Sequence, residues 1–335
     1  MDETARLKAL RTLLDARAAV LAARGDATAC VRLCAGLVDG VAGLLVDRFG
    51  PLVVAIDYAA PVGGAATADT LLRLVKDCFP GCHVIVKVRA GADGSNRFDL
   101  AAFSPEPSAL PLVATEGGLK FELGLDPAHD FGLFLDAAKA RAYVRTHAQG
   151  ARVLNLFSYT GAFGVAAAAG GAVDVVNVDP NRDYLAWSLR NAALNGVAMR
   201  VLPDTAQDYL AKHLRRRARD PSHPAPDLVI IDPPAFGVGR GNERVLRLLW
   251  PRLFENLREM RPARLVLMCN DKAFRSRRGF AEVVATELGD LYRFVRLGTR
   301  LSLDDLAAER APTTWASEEE DPHFVEPLVL AAERR

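Results

Sequence analysis

Residues 153–164, with the sequence VLNLFSYTGAFG, combine three features that strongly limit how this chain can fold. An apolar run from Val153 predicts a buried β-strand. The strand breaks at a small polar turn around Gly161, and an alanine-rich helix from Val165 to Ala169 follows. A strand that turns directly into a helix brings its backbone close to a ligand at the carboxyl edge of a parallel sheet. The sequence therefore predicts a binding site at this turn.

Strands and helices alternate from about residue 130 onward. The predicted strands are 152–157, 173–178, 198–202, 227–231, 264–269, 292–297 and 325–331. This alternation requires right-handed crossovers and produces a parallel sheet with helices on both faces. We therefore predict an α/β fold with a doubly wound, Rossmann-like sheet of seven strands.

The residues before this sheet predict a smaller α+β domain. Leucines at helical spacing predict a helix over 3–24, and a stretch rich in Gly, Ser and Pro predicts a loop over 90–111. The other expected elements are a hairpin at 44–58, a helix at 68–79, a strand at 84–88 and a second hairpin around Gly117. The predicted domains are an N-terminal helix at 1–29, an α+β domain at 30–125 that is expected to contact RNA or another substrate, and a catalytic domain at 126–335.

The spacing between the turn and the next acidic residue indicates the kind of ligand. Asp179 lies 18 residues after Gly161, at the end of the next predicted strand, and this distance suits a carboxylate that binds a ribose. The turn lacks the full glycine pattern of pyrophosphate-binding loops. A nucleoside without phosphates fits better, and S-adenosylmethionine is the common one.

Several short motifs resemble one enzyme family when they are taken in order along the chain. They are Gly43 to Gly50, Gly118 to Phe121, Gly132 to Asp136, Leu154 to Gly161, Tyr184 to Trp187, Asn191 with Leu194 to Gly196, and Asp232 to Phe236. Over residues 30–335 the chain resembles class I S-adenosylmethionine-dependent methyltransferases, and among them the large-subunit ribosomal-RNA methyltransferases of the I and K/L types. The resemblance implies S-adenosylmethionine as the cofactor and RNA, most simply ribosomal RNA, as the partner.

The resemblance and the carboxyl edge of the sheet together indicate the cofactor contacts. We expect Asp179 to bind the ribose hydroxyls, Asp204 to bind the adenine amine and Asp232 to lie beside the sulfonium. Each of these acids has an alternative role as a helix cap or a turn carboxylate. The full predicted set is Asp136, Asn155, Phe157, Ser158, Tyr159, Thr160, Gly161, Asp179, Asp204 and Asp232.

The run from Asp232 to Phe236 resembles the Asp/Asn-Pro-Pro-aromatic loop of base methyltransferases. Two prolines fix φ and remove two donors, which leaves carbonyl groups free to face a substrate. Phe236 is expected either to stack on a flipped base or to pack into the core. The predicted catalytic residues are Asp232, Pro233, Pro234, Phe236 and Asn270.

The residues after the fifth strand bear on which atom is methylated. Carbon-5 of a pyrimidine needs a cysteine thiolate that adds to the ring first, whereas a ring nitrogen already has a lone pair. Asn270 stands where the 5-methylcytosine-forming relatives carry that cysteine, and Cys269 lies one residue early, which turns a strand side chain to the opposite face. We therefore expect 7-methylguanine-like transfer, with 5-methylcytosine formation through Cys269 as the alternative.

Two observations keep other functions open. The net charge is only +1, so contacts to nucleic acid have to come from local patches. Ala137 and Ala138 replace the polar pair that the related families carry, which weakens any transfer of their exact substrate. The alternatives are a methyltransferase of a small molecule or a protein, and a nucleoside-binding protein that has lost catalysis.

Composition predicts a cytoplasmic protein without a membrane segment. No apolar run reaches about 20 residues, and the N-terminus lacks the pattern of a signal peptide. Cys30 and Cys34 form one C-x3-C pair and Cys78 and Cys82 another, a spacing compatible with zinc. We favour reduced, buried thiols over a metal site.

Overall fold

The computed structural model describes residues 3–25, 29–58, 65–89, 98–103, 112–124, 131–234, 242–269, 277–298 and 328–335. These residues form two compact units, of which the first ends at Leu135 and the second begins at Asp136. Each unit has its own hydrophobic core. None of the helices in the described ranges combines the length and the apolar character that crossing a membrane requires.

The described part of the first unit contains a five-stranded sheet in the order β1-β2-β3-β4-β5. Its strands are β1 Cys30–Ala35, β2 Leu44–Phe49, β3 Leu52–Asp57, β4 His83–Arg89 and β5 Phe98–Phe103, and its helices are α1 Glu3–Arg24 and α2 Ala65–Cys78. Neighbouring strands are antiparallel except β3 and β4, which run parallel because α2 connects them. The predicted hairpin at 44–58 is confirmed as β2 and β3.

Helix α1 packs its leucine face on this sheet. Leu10 and Leu14 are fully buried and join a core with strand residues and α2. On the polar side, the guanidinium of Arg6 donates to both carboxylate oxygens of Asp57, at 3.1 and 2.6 Å. Because Asp57 is itself buried, this bidentate pair offsets the cost of burying its charge.

A two-stranded hairpin, β6 Leu112–Glu116 and β7 Leu119–Leu123, completes the described part of this unit. Gly117 and Gly118 form its turn with φ of 56° and 79°, the left-handed values that a two-residue hairpin of this kind requires. The predicted hairpin is confirmed.

The described part of the second unit is built on a seven-stranded sheet in the order β10-β9-β8-β11-β12-β14-β13. The strands are β8 Arg152–Leu156, β9 Asp174–Val178, β10 Arg200–Leu202, β11 Leu228–Ile231, β12 Arg264–Cys269, β13 Tyr292–Leu297 and β14 Leu328–Arg334. All pairings from β10 to β12 are parallel, and β14 runs antiparallel to both of its neighbours. The predicted doubly wound α/β sheet is confirmed.

Helices cover both faces of this sheet. They are α3 Ala138–His147, α4 Ala162–Ala169, α5 Arg182–Leu194, α6 Ala206–Arg219, α7 Asn242–Met260 and α8 Arg277–Leu288. In the core on one face of the sheet, Leu154 and Leu267 pack with Trp250 of α7. In the core on the other face, Val153 and Val266 pack with Ala140 of α3 and other buried residues. Burial on both faces explains why these strands are continuous apolar runs.

The loop predictions for two stretches of the chain are wrong in part. The 90–111 stretch contains β5, whose main chain pairs with β4 although its sequence is bounded by loop-forming residues. Residues 213–226 contain four arginines and three prolines and on composition predict an exposed loop, but the stretch begins inside α6, which continues to Arg219. The side chain of Thr205 caps this helix, and buried Leu210 and Leu214 lie one turn apart, so packing overrides the arginine-rich composition.

The four cysteines of the first unit have separate surroundings. The thiol of Cys34 donates to the carbonyl oxygen of Leu44 (3.3 Å), and the thiol of Cys78 donates to a carboxylate oxygen of Asp15 (3.3 Å). Burial raises the pKa of both thiols to about 12. Within the described ranges, no group of three or more His, Cys, Asp or Glu side chains is arranged to hold a metal ion.

Candidate active site at the carboxyl edge of the second unit

The turn between β8 and α4 has an unusual backbone. Phe157, Tyr159 and Gly161 have φ of 56°, 47° and 75°, so three residues in five adopt the left-handed region. For the two aromatic residues this conformation costs on the order of 1–3 kcal/mol each. Such strain persists only where surrounding contacts hold it, and it is common at ligand-binding sites. The turn is thus a rigid, shaped loop at the end of the central strand.

Asp179 holds this turn through its side chain. The N–H of Tyr159 donates to Oδ2 of Asp179 and the N–H of Asn181 donates to Oδ1, both at 2.9 Å. The residue is only 8% exposed. Each carboxylate oxygen keeps a further lone pair, so the group can still accept hydrogen bonds from two neighbouring hydroxyls of a ligand.

A buried polar network lies beneath the turn. The amide of Asn155 donates to Oδ1 of Asn177 (2.8 Å), and the amide of Asn177 donates to the hydroxyl of Ser188 (3.0 Å). The amide of Asn191 donates to the carbonyl of Thr160 (3.0 Å). Asn155 and Thr160, both predicted as cofactor contacts, are 1% exposed; Asn155 belongs to this supporting layer, and Thr160 lies on the turn that the layer holds.

Two atoms near the turn lack a hydrogen-bond partner within the described part of the chain. They are the buried Oδ1 of Asn155 and the buried Oγ of Ser158. Buried polar atoms are rarely left in this state. The orphaned hydroxyl of Ser158, on the turn itself, is the kind of group that a polar ligand would satisfy.

The sequence interpretation missed Asn177 and Ser188. Asn177 is fully buried in the middle of β9, and a Cβ atom at Gly164 would lie 2.4 Å from its Oδ1. The signal in the sequence was a single amide inside the apolar run Val175 to Val178. A polar residue at such a position requires a partner, and here the partners are Asn155 of β8 and Ser188 of α5.

Replacing Gly161 by alanine tests how the turn is held. The new Cβ would lie 2.0 Å from Oγ of Ser188, at a φ of +75°. We expect the substitution to lower the free energy of unfolding by about 1–3 kcal/mol and to weaken cofactor binding. Chemical denaturation and titration calorimetry measure the two effects.

Gly196→Ala is the matched control, because Gly196 also has a positive φ, of +62°, but no neighbouring atom lies within 4 Å of the position that its new Cβ would take. It should cost about 1 kcal/mol and leave cofactor binding unchanged. Equal effects of the two substitutions on cofactor affinity would show that close packing at Gly161 does not shape the site.

Asp204 lies after β10 and is tied to its own helix. Lys212 of α6 donates to Oδ2 at 2.6 Å, and the N–H of Thr205 donates to Oδ1 at 3.0 Å. The side chain is about one fifth exposed. It remains at the carboxyl edge expected for an adenine contact, but its charge is already balanced by Lys212.

Asp232 and Asp136 form an acidic pair beside a buried arginine. Asp232 follows β11, and desolvation together with the negative charge of Asp136 raises its pKa to about 7, whereas the charge of Arg141 lowers it. Arg141 is 4% exposed and places its guanidinium carbon 5.8 Å from the centre of the Phe163 ring. A carboxyl group with this pKa can exchange a proton or respond to a nearby cation near neutral pH.

The remaining predicted residues divide between described and undescribed positions. Pro233 is buried and Pro234 is exposed at the end of β11. Phe236 and Asn270 lie outside the described residues. Ala137 and Ala138 are 1% and 6% exposed, so apolar packing occupies the place of the polar pair of the related families.

A strained turn after a central strand, a carboxylate that can bind a ribose and this strand order are typical of enzymes that bind a nucleoside cofactor. Comparison with known proteins identifies the family. The model of the S-adenosylmethionine-dependent methyltransferase family matches residues 78–308. The chain belongs to this family. Its cofactor is S-adenosylmethionine, and the acceptors of Asp179 and the orphaned hydroxyl of Ser158 fit the ribose and polar groups of that cofactor.

Individual relatives are similar over part of their length. The chain is 39% identical over 198 residues to Ribosomal RNA large subunit methyltransferase K/L of Shewanella sp. (strain ANA-3), covering 57% of this chain and 27% of that protein. It is 34% identical over 211 residues to Ribosomal RNA large subunit methyltransferase I of Erwinia tasmaniensis, covering 61% of this chain and 51% of that protein. The chain thus spans between about a quarter and a half of the length of these relatives.

Solved structures share the fold of this methyltransferase. SMU.776 complexed with SAH superposes with a TM-score of 0.74 at 21% identity, over 99% of this chain and 82% of that one. The SAM-dependent methyltransferase from Agrobacterium tumefaciens gives a TM-score of 0.59 at 19% identity, over 91% and 89% of the two chains. At these identities the likeness establishes a common architecture.

Proposed function

We propose that this methyltransferase transfers a methyl group from S-adenosylmethionine to a base of large-subunit ribosomal RNA, at a ring nitrogen as in 7-methylguanine. The observation that carries the proposal is the similarity of the chain to the K/L and I ribosomal-RNA enzymes. The cofactor supplies the methyl group on a positively charged sulfur. The chain supplies the surroundings in which a base nitrogen can approach that carbon.

The proposed cofactor contacts follow the geometry of the turn. Asp179 binds the ribose hydroxyls, Ser158 and the backbone of the turn bind polar groups, and Asp204 lies toward the adenine. Asn155 acts from the supporting layer through its hydrogen bond to Asn177, and Asn191 holds the turn at the carbonyl of Thr160. These assignments rest on where the side chains lie and which of their acceptors are still available.

We assign Asp232, Asp136 and the Pro233–Pro234 carbonyls to the reacting end of the site. An ionised carboxylate at Asp232 favours a cation nearby, and its pKa of about 7 lets it lose its proton readily when one binds. The two prolines fix the backbone so that their carbonyls are oriented without reorganisation. Phe236 and Asn270 remain predicted contacts to the base.

The position of Cys269 favours chemistry without a covalent cysteine. Its side chain is 6% exposed and lies in the core with Leu265 and Leu267, the residues that share its face of β12. There it lies among apolar side chains of α7 and α8, which supports the prediction that the one-residue shift turns the thiol to the face of the strand opposite to that of a nucleophilic cysteine.

Analysis of ribosomal-RNA nucleosides by mass spectrometry tests the substrate. A strain without the gene should lose one 7-methylguanosine from its large-subunit RNA, and purified enzyme with S-adenosylmethionine should restore it. Loss of a 5-methylcytidine would contradict ring-nitrogen transfer. An unchanged nucleoside profile would contradict the RNA assignment and favour a small-molecule or protein acceptor, which the net charge of +1 leaves open.

Replacing Cys269 by serine tests the chemistry. We expect kcat within about threefold of the parent enzyme, because the proposed reaction does not use the thiol. RNA that carries 5-fluorocytidine should not become covalently attached to the protein. Cys269→Ala controls for the cost of burying a hydroxyl, and inactive but folded variants together with a stable RNA adduct would restore the 5-methylcytosine alternative.

A further inference from the structure

Three half-buried aromatic side chains lie together beside the cofactor turn. The rings of Tyr159 and Tyr184 meet edge to face with centroids 4.6 Å apart, and the ring of Trp187 lies 6.2 Å from that of Tyr159. We call these three residues the aromatic cluster. The guanidinium carbon of Arg190, which is exposed, lies 6.0 Å from the centre of the Trp187 ring.

The cluster is not part of the hydrophobic core. Helix α5 turns Leu185, Ser188 and Asn191 inward, and all three are buried. Tyr184 and Trp187 lie on the flank of this face and stay half-exposed. Leaving large aromatic surface in contact with water forgoes burial that would stabilise the fold, so a partner that covers the rings would gain that energy.

The cluster also lies at the edge of the sheet where methyl transfer takes place. Tyr159 belongs to the strained turn, and its N–H is the donor that reaches Asp179. The backbone position from which its ring extends is therefore fixed, two residues before Gly161. A group that stacks on the cluster is therefore held next to the turn that Asp179 fixes.

The chemistry of the cluster fits an unpaired nucleobase. Bases in single-stranded RNA stack on aromatic rings and on the planar guanidinium of arginine, and the adjacent phosphates favour positive charge. Helix α5 carries Arg182 and Arg190 against a single acid, Asp183, so its local charge has the required sign.

We propose that the aromatic cluster stacks a second, unmethylated base of the RNA substrate and so positions the target base at the cofactor. This inference rests on the proposed RNA substrate. It adds a specificity-determining surface formed by Tyr159, Tyr184 and Trp187 with Arg190. The loss of one stacked base lowers RNA affinity by roughly five- to a hundredfold in comparable proteins, which a binding assay measures.

The test compares Trp187→Ala, Trp187→Phe and, as a control on the same helix, Leu189→Ala, whose side chain is 45% exposed. For Trp187→Ala we expect a roughly tenfold higher KM for ribosomal RNA and a similarly weaker Kd for short single-stranded RNA. The Kd for S-adenosylmethionine and kcat should stay near the parent values. Trp187→Phe should recover most of the loss, and Leu189→Ala should behave like the parent.

Other outcomes overturn the inference in distinguishable ways. A matching loss of S-adenosylmethionine affinity would assign the cluster to the cofactor. Lower thermal stability with unchanged RNA binding would assign it to packing of α5. If the parent enzyme binds single-stranded RNA through Trp187 but methylates no ribosomal RNA, the proposed function fails while the stacking surface stands; unchanged RNA binding in Trp187→Ala overturns the surface alone.

Discussion

Replacing Asp232 by alanine should reduce kcat by about a hundredfold or more, a loss typical for one preorganised polar group removed from an active site. Asp232 follows β11, lies beside Asp136 and precedes the two prolines that we assign to the reacting end of the proposed site. The free energy of unfolding should change little or increase, because the fold gives up a carboxyl group whose charged form is disfavoured by its position. Steady-state kinetics and chemical denaturation measure both quantities.

Asp227→Asn is the matched control, because Asp227 lies just before the other end of the same strand. Its Oδ2 accepts a hydrogen bond from the N–H of Arg152 at 2.8 Å, far along β11 from the carboxyl edge. This variant should keep the parent kcat. If Asp232→Ala also stays within a few-fold of the parent, the reacting end of the site lies elsewhere.

The pH dependence of stability and of cofactor affinity provides a second test of Asp232. The pKa of Asp232 is raised to about 7 in the folded protein, above its ordinary value of 3.8, so the folded state holds this proton more tightly than the unfolded chain. The stability that this proton contributes is present at low pH and is lost as the pH rises through about 7. Affinity for the cationic cofactor should increase over the same range, and Asp232→Asn should remove both trends.

Much of the second unit was predictable from the sequence because its strands are buried on both faces. Leu154 faces one core and Val153 the other, so periodicity, length and bounding turns all agree. The acids at the strand ends could be located for the same reason. Once the strand order is known, Asp179 and Asp232, which follow the parallel strands β9 and β11, have to share one edge.

The missed elements depended on contacts that are distant in sequence. Strand β5 forms because β4 offers it a partner, and the last turns of α6 form because Leu214 finds a core. Neither partner is visible in the local composition. Tertiary packing outweighs local propensity in such segments, since propensities differ by only about 1 kcal/mol per residue.

The contacts that support the predicted site also depend on the three-dimensional fold. The motif predicts Asn155 and Thr160 as cofactor contacts, and the structure adds that Asn155 donates to Asn177 and that Asn191 donates to the carbonyl of Thr160. The influence of Arg141 and Asp136 on the pKa of Asp232 could likewise be recognised only from the structure, because charges act through space and not along the chain.

Replacing Asp179 by alanine should weaken the binding of S-adenosylmethionine by about a hundredfold or more, because it removes two charge-assisted hydrogen bonds worth roughly 1.5–3 kcal/mol each. The loss has a second component in this protein. Asp179 also accepts the N–H groups of Tyr159 and Asn181, so its removal frees the strained turn. Titration calorimetry with S-adenosylmethionine measures the combined effect.

Two further variants separate these components. Asp179→Asn keeps a carbonyl oxygen for one of the two N–H donors but removes the charge, so it should recover stability more than affinity. Asp174→Ala removes a carboxylate from the opposite end of the same strand, where it pairs with exposed Arg200, and should leave binding unchanged. If Asp179→Ala binds the cofactor as tightly as Asp174→Ala does, the ribose is held by another residue. The strained turn would then serve only to shape the backbone.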